Sequence, residues 1–130
     1  MGAIVVGYVD KPEGRAALSR AVAEAKLRRT ALVVVLSRAI ADPAADEALA
    51  SVKADLEAEG LHHEVRTPDS GVEPAEALIA TAEEVSADFI VIGLRRRSPV
   101  GKLILGSNAQ RVLLDAPCPV LAVKADLSPK

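Results

Sequence analysis

The chain has 130 residues, half of them hydrophobic, and a formal net charge of −2 at pH 7. This length favours one domain with its own core. The near absence of aromatic residues, with one tyrosine and one phenylalanine, and the slight negative charge argue against a general DNA or RNA binder, because such proteins combine a basic surface with stacking rings.

The N-terminal residues predict a buried strand from Ala3 to Val9 that leads into a helix. The run is apolar, and the segment that follows contains Asp10 and then Pro12, which suits the first turn of a helix. Asp10 therefore lies at the carboxyl end of the first strand, where it could cap that helix. Neither a basic leader nor a long apolar run is present here, which favours a cytoplasmic protein.

The next part of the chain is again predicted to be a strand followed by a helix. The β-branched run from Ala31 to Ser37 predicts a central strand. The segment from Ala39 to Ala45 is predicted to be a loop, and Gly60 is predicted to end the helix that follows. The buried stripe of that helix contains Leu49, Val52 and Leu56.

The third unit begins with a more polar strand, from His62 to Arg66, which is typical of a sheet edge. His62 and His63 point to opposite faces of a strand and have no third ligand at metal spacing, so we predict no metal site. A turn around Gly71 precedes a third helix that begins at Pro74. Its predicted inward residues are Leu78, Ala82 and Val85.

The last unit holds the most informative stretch. An apolar run from Phe89 to Ile92 predicts a buried strand that Gly93 ends. A loop without acidic residues then runs to Gly106, and a helix follows through Val112 and Leu113. The basic residues of that loop are Arg95, Arg96, Arg97 and Lys102.

A final strand is predicted from Val120 to Lys124. The lone cysteine, Cys118, lies just before it between two prolines and cannot form an intrachain disulfide. We therefore interpret Cys118 as a buried, inert thiol.

The start of the fourth helix is a candidate anion site. The first turn of a helix carries unpaired N–H groups and partial positive charge, so it favours phosphate. Gly106 would allow close approach, and Ser107 or Asn108 could donate to a phosphate oxygen. Alternatively, Ser107 or Asn108 only caps the helix, the glycines only turn the chain and the arginines form a solvated surface.

Strands and helices alternate along the whole chain, which predicts a single-domain α/β fold of Rossmann-like type. Five parallel strands would form an open sheet, with four helices on both faces. Ligands of such sheets bind beyond the carboxyl ends of the strands, where the strand order reverses. If the first and fourth strands are neighbours, Asp10 and Gly93 meet at that switch point.

The spacing of the basic loop resembles a family signature. Gly93, two residues, Arg96, nine residues and then Gly106-Ser107 is similar to the signature of nucleotide-binding universal stress proteins. That signature has glycine where this chain has Arg96. The resemblance extends to the following helix and the final strand and, more weakly, to the first strand with Asp10.

The resemblance implies strand order 3-2-1-4-5 and a bound ATP or other adenine nucleotide, alone or with Mg²⁺. Asp10 would hydrogen-bond the ribose, Ser37 or Arg38 would lie beside the base, and the loop would surround the phosphates. A homodimer would form through Val120–Lys124. The implied nucleotide-binding residues are Val9, Asp10, Ser37, Gly93, Arg95, Arg96, Gly106, Ser107 and Asn108.

Two alternatives remain open. Arg96 could clamp a phosphate or could fill the space of the missing glycine; in the second case the protein would be a homodimeric interaction module whose arginines bind an acidic partner. An enzyme of the nucleotide-transferring α/β group would need a catalytic lysine or acid that no motif here indicates. Since the chain also lacks a Walker loop, we predict a binding protein in which any ATP hydrolysis is slow.

Overall fold

The computed structural model describes residues 2–9, 11–36, 43–68, 71–94 and 106–125. Within these ranges strands and helices alternate, as the sequence predicts. The elements are β1 Ala3–Tyr8, α1 Pro12–Arg28, β2 Ala31–Leu36, α2 Pro43–Glu59, β3 His63–Arg66, α3 Pro74–Val85, β4 Phe89–Leu94, α4 Ser107–Asp115 and β5 Val120–Lys124.

The strands form one five-stranded sheet of order β3-β2-β1-β4-β5, with every neighbouring pair parallel. This confirms the predicted fold class and strand order. From β1 the chain passes through α1 to β2 on one side, and it later returns to β4 on the other side of β1. The order therefore reverses between β1 and β4, which places the switch point at their carboxyl ends.

The core lies on both faces of the sheet. Alternate residues of one strand face opposite sides, so Ile4 belongs to the layer under α1 and α2, whereas Val5 belongs to the layer under α3 and α4. This explains why the strands are continuously apolar rather than alternating. The contact face of α1 consists of the fully buried alanines Ala17, Ala21 and Ala25, which let the helix lie close to the sheet.

Before β4 the boundaries differ from the predictions at β1, at α2 and at β3, which begins at His63 rather than at His62. Helix α2 begins at Pro43, inside the predicted loop from Ala39 to Ala45, because proline suits the first helical position and needs no N–H partner there. Residues 39–42 of that loop lie outside the described residues. Strand β1 ends at Tyr8, one residue before the predicted end. Gly60 follows α2 with φ +72°, as expected for a glycine that ends a helix.

The prediction that Gly93 ends the fourth strand is wrong. Strand β4 continues to Leu94, and Gly93 pairs with Val123 of β5. A Cβ atom at Gly93 would overlap the backbone carbonyl oxygen of Glu13, in the first turn of α1. At Gly14 a Cβ would overlap the carbonyl oxygen of Val9. Both glycines therefore serve close packing between the start of α1 and the ends of the central strands.

The two edge strands of the sheet, β3 and β5, differ in how their surfaces are protected against pairing with another chain. On β3, Arg66 pairs with Glu64 at 2.6 Å and with Glu84 of α3 at 2.9 Å, and both partners raise the pKa of Arg66 above its ordinary value. Charged residues of this kind discourage pairing with another chain. Strand β5, at the opposite edge, is only partly buried.

None of the described helices is long and apolar enough to cross a bilayer.

The packing at Gly93 generates a stability prediction. Gly93→Ala should lower the free energy of unfolding by at least about 2 kcal/mol, because backbone atoms must move to accept the methyl group. Gly106→Ala is the matched control, since no described atom lies within 4 Å of a Cβ built there, and it should cost less than about 1 kcal/mol. Urea unfolding of both variants measures the difference. Equal midpoints would contradict the packing role of Gly93.

Candidate functional site

A cleft lies at the switch point and brings together parts of the chain that are distant in sequence. Its volume is about 130 Å³. It is bounded by the exit of β1, the end of β4 and the first turns of α1, α3 and α4. The lining residues are Gly7, Val9, Glu13, Gly14, Pro74, Leu78, Ile92, Gly93, Asn108, Ala109 and Val112.

The sequence-predicted residues fall into two groups. Val9, Gly93 and Asn108 line this cleft, and Gly106 and Ser107 lie beside it at the start of α4. The remaining predicted residues lie outside the described residues. They are Asp10, Ser37, Arg95 and Arg96.

Helix α4 begins in an open manner. Gly106 is its N-cap, with extended backbone angles of φ −71° and ψ 166°, and no side chain among the described residues caps the helix. The carbonyl of Gly106 accepts the N–H of Gln110 at 3.0 Å. The alternative that Ser107 or Asn108 caps α4 is therefore wrong, because these are its first two helical residues. Their N–H groups belong to the turn that has no earlier carbonyls to pair with.

Asn108 instead caps a different helix. Its Oδ1 accepts the backbone N–H of Ala75, in the first turn of α3, at 3.2 Å. The N-cap residue of α3, Glu73, makes no capping hydrogen bond of its own. This bond holds the starts of α3 and α4 together at the cleft. The sequence analysis missed it, since a local pattern cannot reveal a cap that comes from a distant helix.

Glu13 is a second residue that the sequence analysis missed. Glu13 lines the cleft, and its Oε1 is the one buried side-chain polar atom without a hydrogen-bond partner among the described residues. An acid in the first turn of a helix is ordinarily explained by the helix dipole. Only its spacing, three residues after Asp10, could have associated it with the site.

The electrostatics of the two helix starts are opposite in kind. The first turn of α4 contains no acidic residue, so its partial positive charge is not neutralised locally. The first turn of α1 contains Glu13. One side of the cleft therefore offers backbone donors and the other side offers a carboxylate.

The histidines and Cys118 do not line the cleft. No group of three potential metal ligands occurs in the described part of the chain, and His63 donates through Nδ1 to the carbonyl of Leu61 at 2.8 Å. Cys118 is half-buried rather than fully buried. Burial and, to a smaller degree, the carboxylate of Asp88 raise its pKa, so the thiol stays protonated at neutral pH and is a poor nucleophile.

Three larger grooves lie elsewhere, of about 670 Å³ between α1 and α2, about 710 Å³ at the amino ends of the strands and about 330 Å³ along α3 beside Arg111. None of them is lined by Val9, Gly93 or Asn108. The smaller cleft is the relevant one, because ligands of doubly wound sheets bind at the switch point.

Comparison with known proteins gives one family. The profile of the Universal stress protein family matches residues 1–124. A universal stress protein of Mycolicibacterium smegmatis is 46% identical over 127 residues, which cover 93% of this chain and 96% of that protein. A universal stress protein structure from Archaeoglobus fulgidus superposes with a TM-score of 0.76 at 36% identity, covering 95% of this chain and 99% of the other.

A second structure, the universal stress protein from Archaeoglobus fulgidus in complex with dAMP, has a TM-score of 0.71 and 30% identity, covering 95% of this chain and 98% of the other. The family profile thus covers nearly the whole chain, and the likeness extends over almost the full length of each of these three proteins. The chain belongs to the universal stress protein family.

Proposed function

We propose that this protein binds an adenine nucleotide across the carboxyl ends of β1 and β4, with the phosphate at the start of α4. The observation that carries the proposal is the first turn of α4, which no described side chain caps and which lies beside the switch-point cleft. Support comes from the 30% identical relative whose structure is a complex with dAMP. A nucleotide monophosphate supplies the anion that such a helix start favours.

Several features favour phosphate at this end of the site. A Cβ at Gly106 would meet no described atom within 4 Å, so a phosphate oxygen could approach the backbone there. Asn108 Oδ1 accepts the N–H of Ala75, so the two amide N–H donors of the same side chain are the groups that it can offer to a phosphate oxygen. The loop between Leu94 and Gly106 adds positive charge through residues such as Arg95 and Arg96.

The strand register supports the placement of the nucleoside. Tyr8 of β1 pairs with Leu36 of β2, so the chain leaves the two neighbouring strands at the same level. Asp10 and Ser37 follow these positions closely in sequence. We infer that Asp10 contacts the ribose and Ser37 lies near the base, with Val9 between the nucleoside and the sheet.

We further infer ATP as the preferred nucleotide, with or without Mg²⁺, because the loop carries enough positive charge for more than one phosphate.

The partly exposed edge strand β5 would pair with its copy in a homodimer. Leu113 and Leu114, with side chains exposed by 41% and 82%, add apolar surface nearby on α4. The role proposed is nucleotide-dependent stress signalling rather than catalysis.

Asp10→Ala tests the nucleoside contact. Titration calorimetry with dAMP, AMP and ATP should show affinity reduced about tenfold or more, because a hydrogen bond to a carboxylate is lost. Stability should fall by only about 1 kcal/mol if Asp10 also supports the start of α1. Asp55→Ala, an exposed acid of α2, is the control and should bind normally. Unchanged affinity in a folded Asp10→Ala protein would rule out the ribose contact.

Two variants of Asn108 separate its effect on stability from its effect on nucleotide binding. Asn108→Ala should cost about 1 kcal/mol of stability, since α3 loses its cap. Asn108→Asp keeps an acceptor for the Ala75 N–H and should retain stability, yet its negative charge should weaken nucleotide binding more than the alanine does. Thermal unfolding and calorimetry on the same samples give both quantities. Tight binding by Asn108→Asp would place the phosphate elsewhere.

Arg96 favours a second candidate function, an interaction module without nucleotide, because it replaces a glycine of the signature. If Arg96 clamps phosphate, Arg96→Gly should weaken ATP binding and make it less sensitive to salt. If Arg96 fills the site, the same variant should gain or tighten ATP binding. Calorimetry at three salt concentrations distinguishes the two outcomes. We expect the clamp, and tighter binding at every salt concentration would establish the second candidate.

A further inference from the structure

The unexplained feature of the cleft is the side chain of Glu13. Its Oε1 is buried without a hydrogen-bond partner in the described part of the chain. A buried acceptor without a partner is costly, and such groups in native proteins require an explanation. Apolar residues such as Val9, Leu78 and Ile92 supply much of the surrounding wall, and these side chains cannot donate a hydrogen bond to it.

The position of Glu13 is fixed by close packing. Its backbone carbonyl lies against Gly93 so closely that a Cβ on that glycine would overlap it, and Gly14 lies equally close to the carbonyl of Val9. The first turn of α1 is thus held against the ends of both β1 and β4. A side chain on such a rigid turn is pre-organised to contact whatever occupies the cleft.

The chemistry of the ligand limits what Glu13 can bind. A carboxylate only accepts hydrogen bonds. In an adenine nucleotide the donors are the ribose hydroxyls and the amine of the base, whereas the phosphates at neutral pH are acceptors. Glu13 must therefore contact the sugar or the base, or else a cation.

The position of Glu13 in the cleft favours a contact with the sugar over a contact with the base. Glu13 shares the cleft with Gly93 and with Asn108 of the first turn of α4, where the phosphate is proposed to lie. The base amine lies at the far end of a nucleotide from its phosphate, and the ribose lies between them. A carboxylate adjacent to the phosphate end is therefore within reach of the ribose rather than of the amine.

We propose that Glu13 accepts a hydrogen bond from a ribose hydroxyl and so determines which sugar the site prefers; this inference rests on the proposed nucleotide function. Glu13 would then supply an acceptor for one of the two hydroxyls that the sugar carries. The site is accordingly selective for ribonucleotides with free hydroxyls over analogues that lack the hydroxyl bound by Glu13.

The test compares three ligands, AMP, 2′-deoxy-AMP and 3′-deoxy-AMP, by calorimetry in EDTA and again with Mg²⁺. Glu13→Ala should weaken AMP binding about ten- to a hundredfold, the effect of losing a charged hydrogen bond. For one of the deoxy ligands, the one without the contacted hydroxyl, wild type and variant should bind alike. Glu13→Gln retains an acceptor oxygen and should lose less than Glu13→Ala.

Glu76→Ala is the matched control. Glu76 is the acid in the first turn of α3, which also begins with proline, but it faces Arg111 at 3.5 Å and lies outside the cleft. Its removal has the same effect on a helix dipole and should leave all three affinities unchanged. If Glu13→Ala fails to fold, the comparison of Glu13→Gln with wild type across the three ligands decides the question.

The outcomes separate this inference from the function on which it rests. If wild type binds none of the ligands, both fail. If wild type binds AMP but the Glu13 variants lose nothing, or lose equally for all three ligands, only the role of Glu13 fails. A loss that appears solely with Mg²⁺ would show that the carboxylate holds a cation, and this too would overturn the inference.

Discussion

The close approach of α1 to the ends of β1 and β4 is the constraint on which the site depends. Two backbone contacts establish it, between Gly93 and the carbonyl of Glu13 and between Gly14 and the carbonyl of Val9. The buried alanines of α1 allow the rest of the helix to follow the sheet at the same short distance. Without this approach the cleft would be wider, and Glu13 and Asn108 would not line it together.

A second contact completes the arrangement from the opposite side. The hydrogen bond from Ala75 to Asn108 joins two helix starts, so the backbone donors of α4 have a fixed position relative to the strands. The first turns of α1, α3 and α4 thus line one cleft at the carboxyl edge of the sheet. The contacts that position them are made by two glycines and one amide, which leaves room for a ligand between them.

The sequence was sufficient for the fold because its signals are local and repeated. Apolar runs such as Ala31–Leu36, helix starts such as Pro74 and the terminating Gly60 each carry their own physical explanation. The strand order, by contrast, came from the family resemblance. Gly93 was misread because a glycine needed for a turn and a glycine needed for close packing look the same in sequence; only the position of Glu13 distinguishes them.

The site was predictable only in part, for a related reason. Gly106 and Asn108 were found because a helix start can be read from neighbouring residues. The bond from Asn108 to α3 and the burial of Glu13 depend on how distant elements pack. Sequence reasoning has no access to such contacts without an alignment or a structure.

The register of the two central strands has a consequence for how the domain folds. Ile4 pairs with Phe89, so closing this pair brings together two residues that most of the chain separates, and pairings over such distances form slowly because of the loop-closure entropy. The cleft therefore does not exist in any partly folded form that lacks the β1–β4 pair. A ligand held there would bind only the complete domain, and by mass action its concentration would set how often the entire chain unfolds.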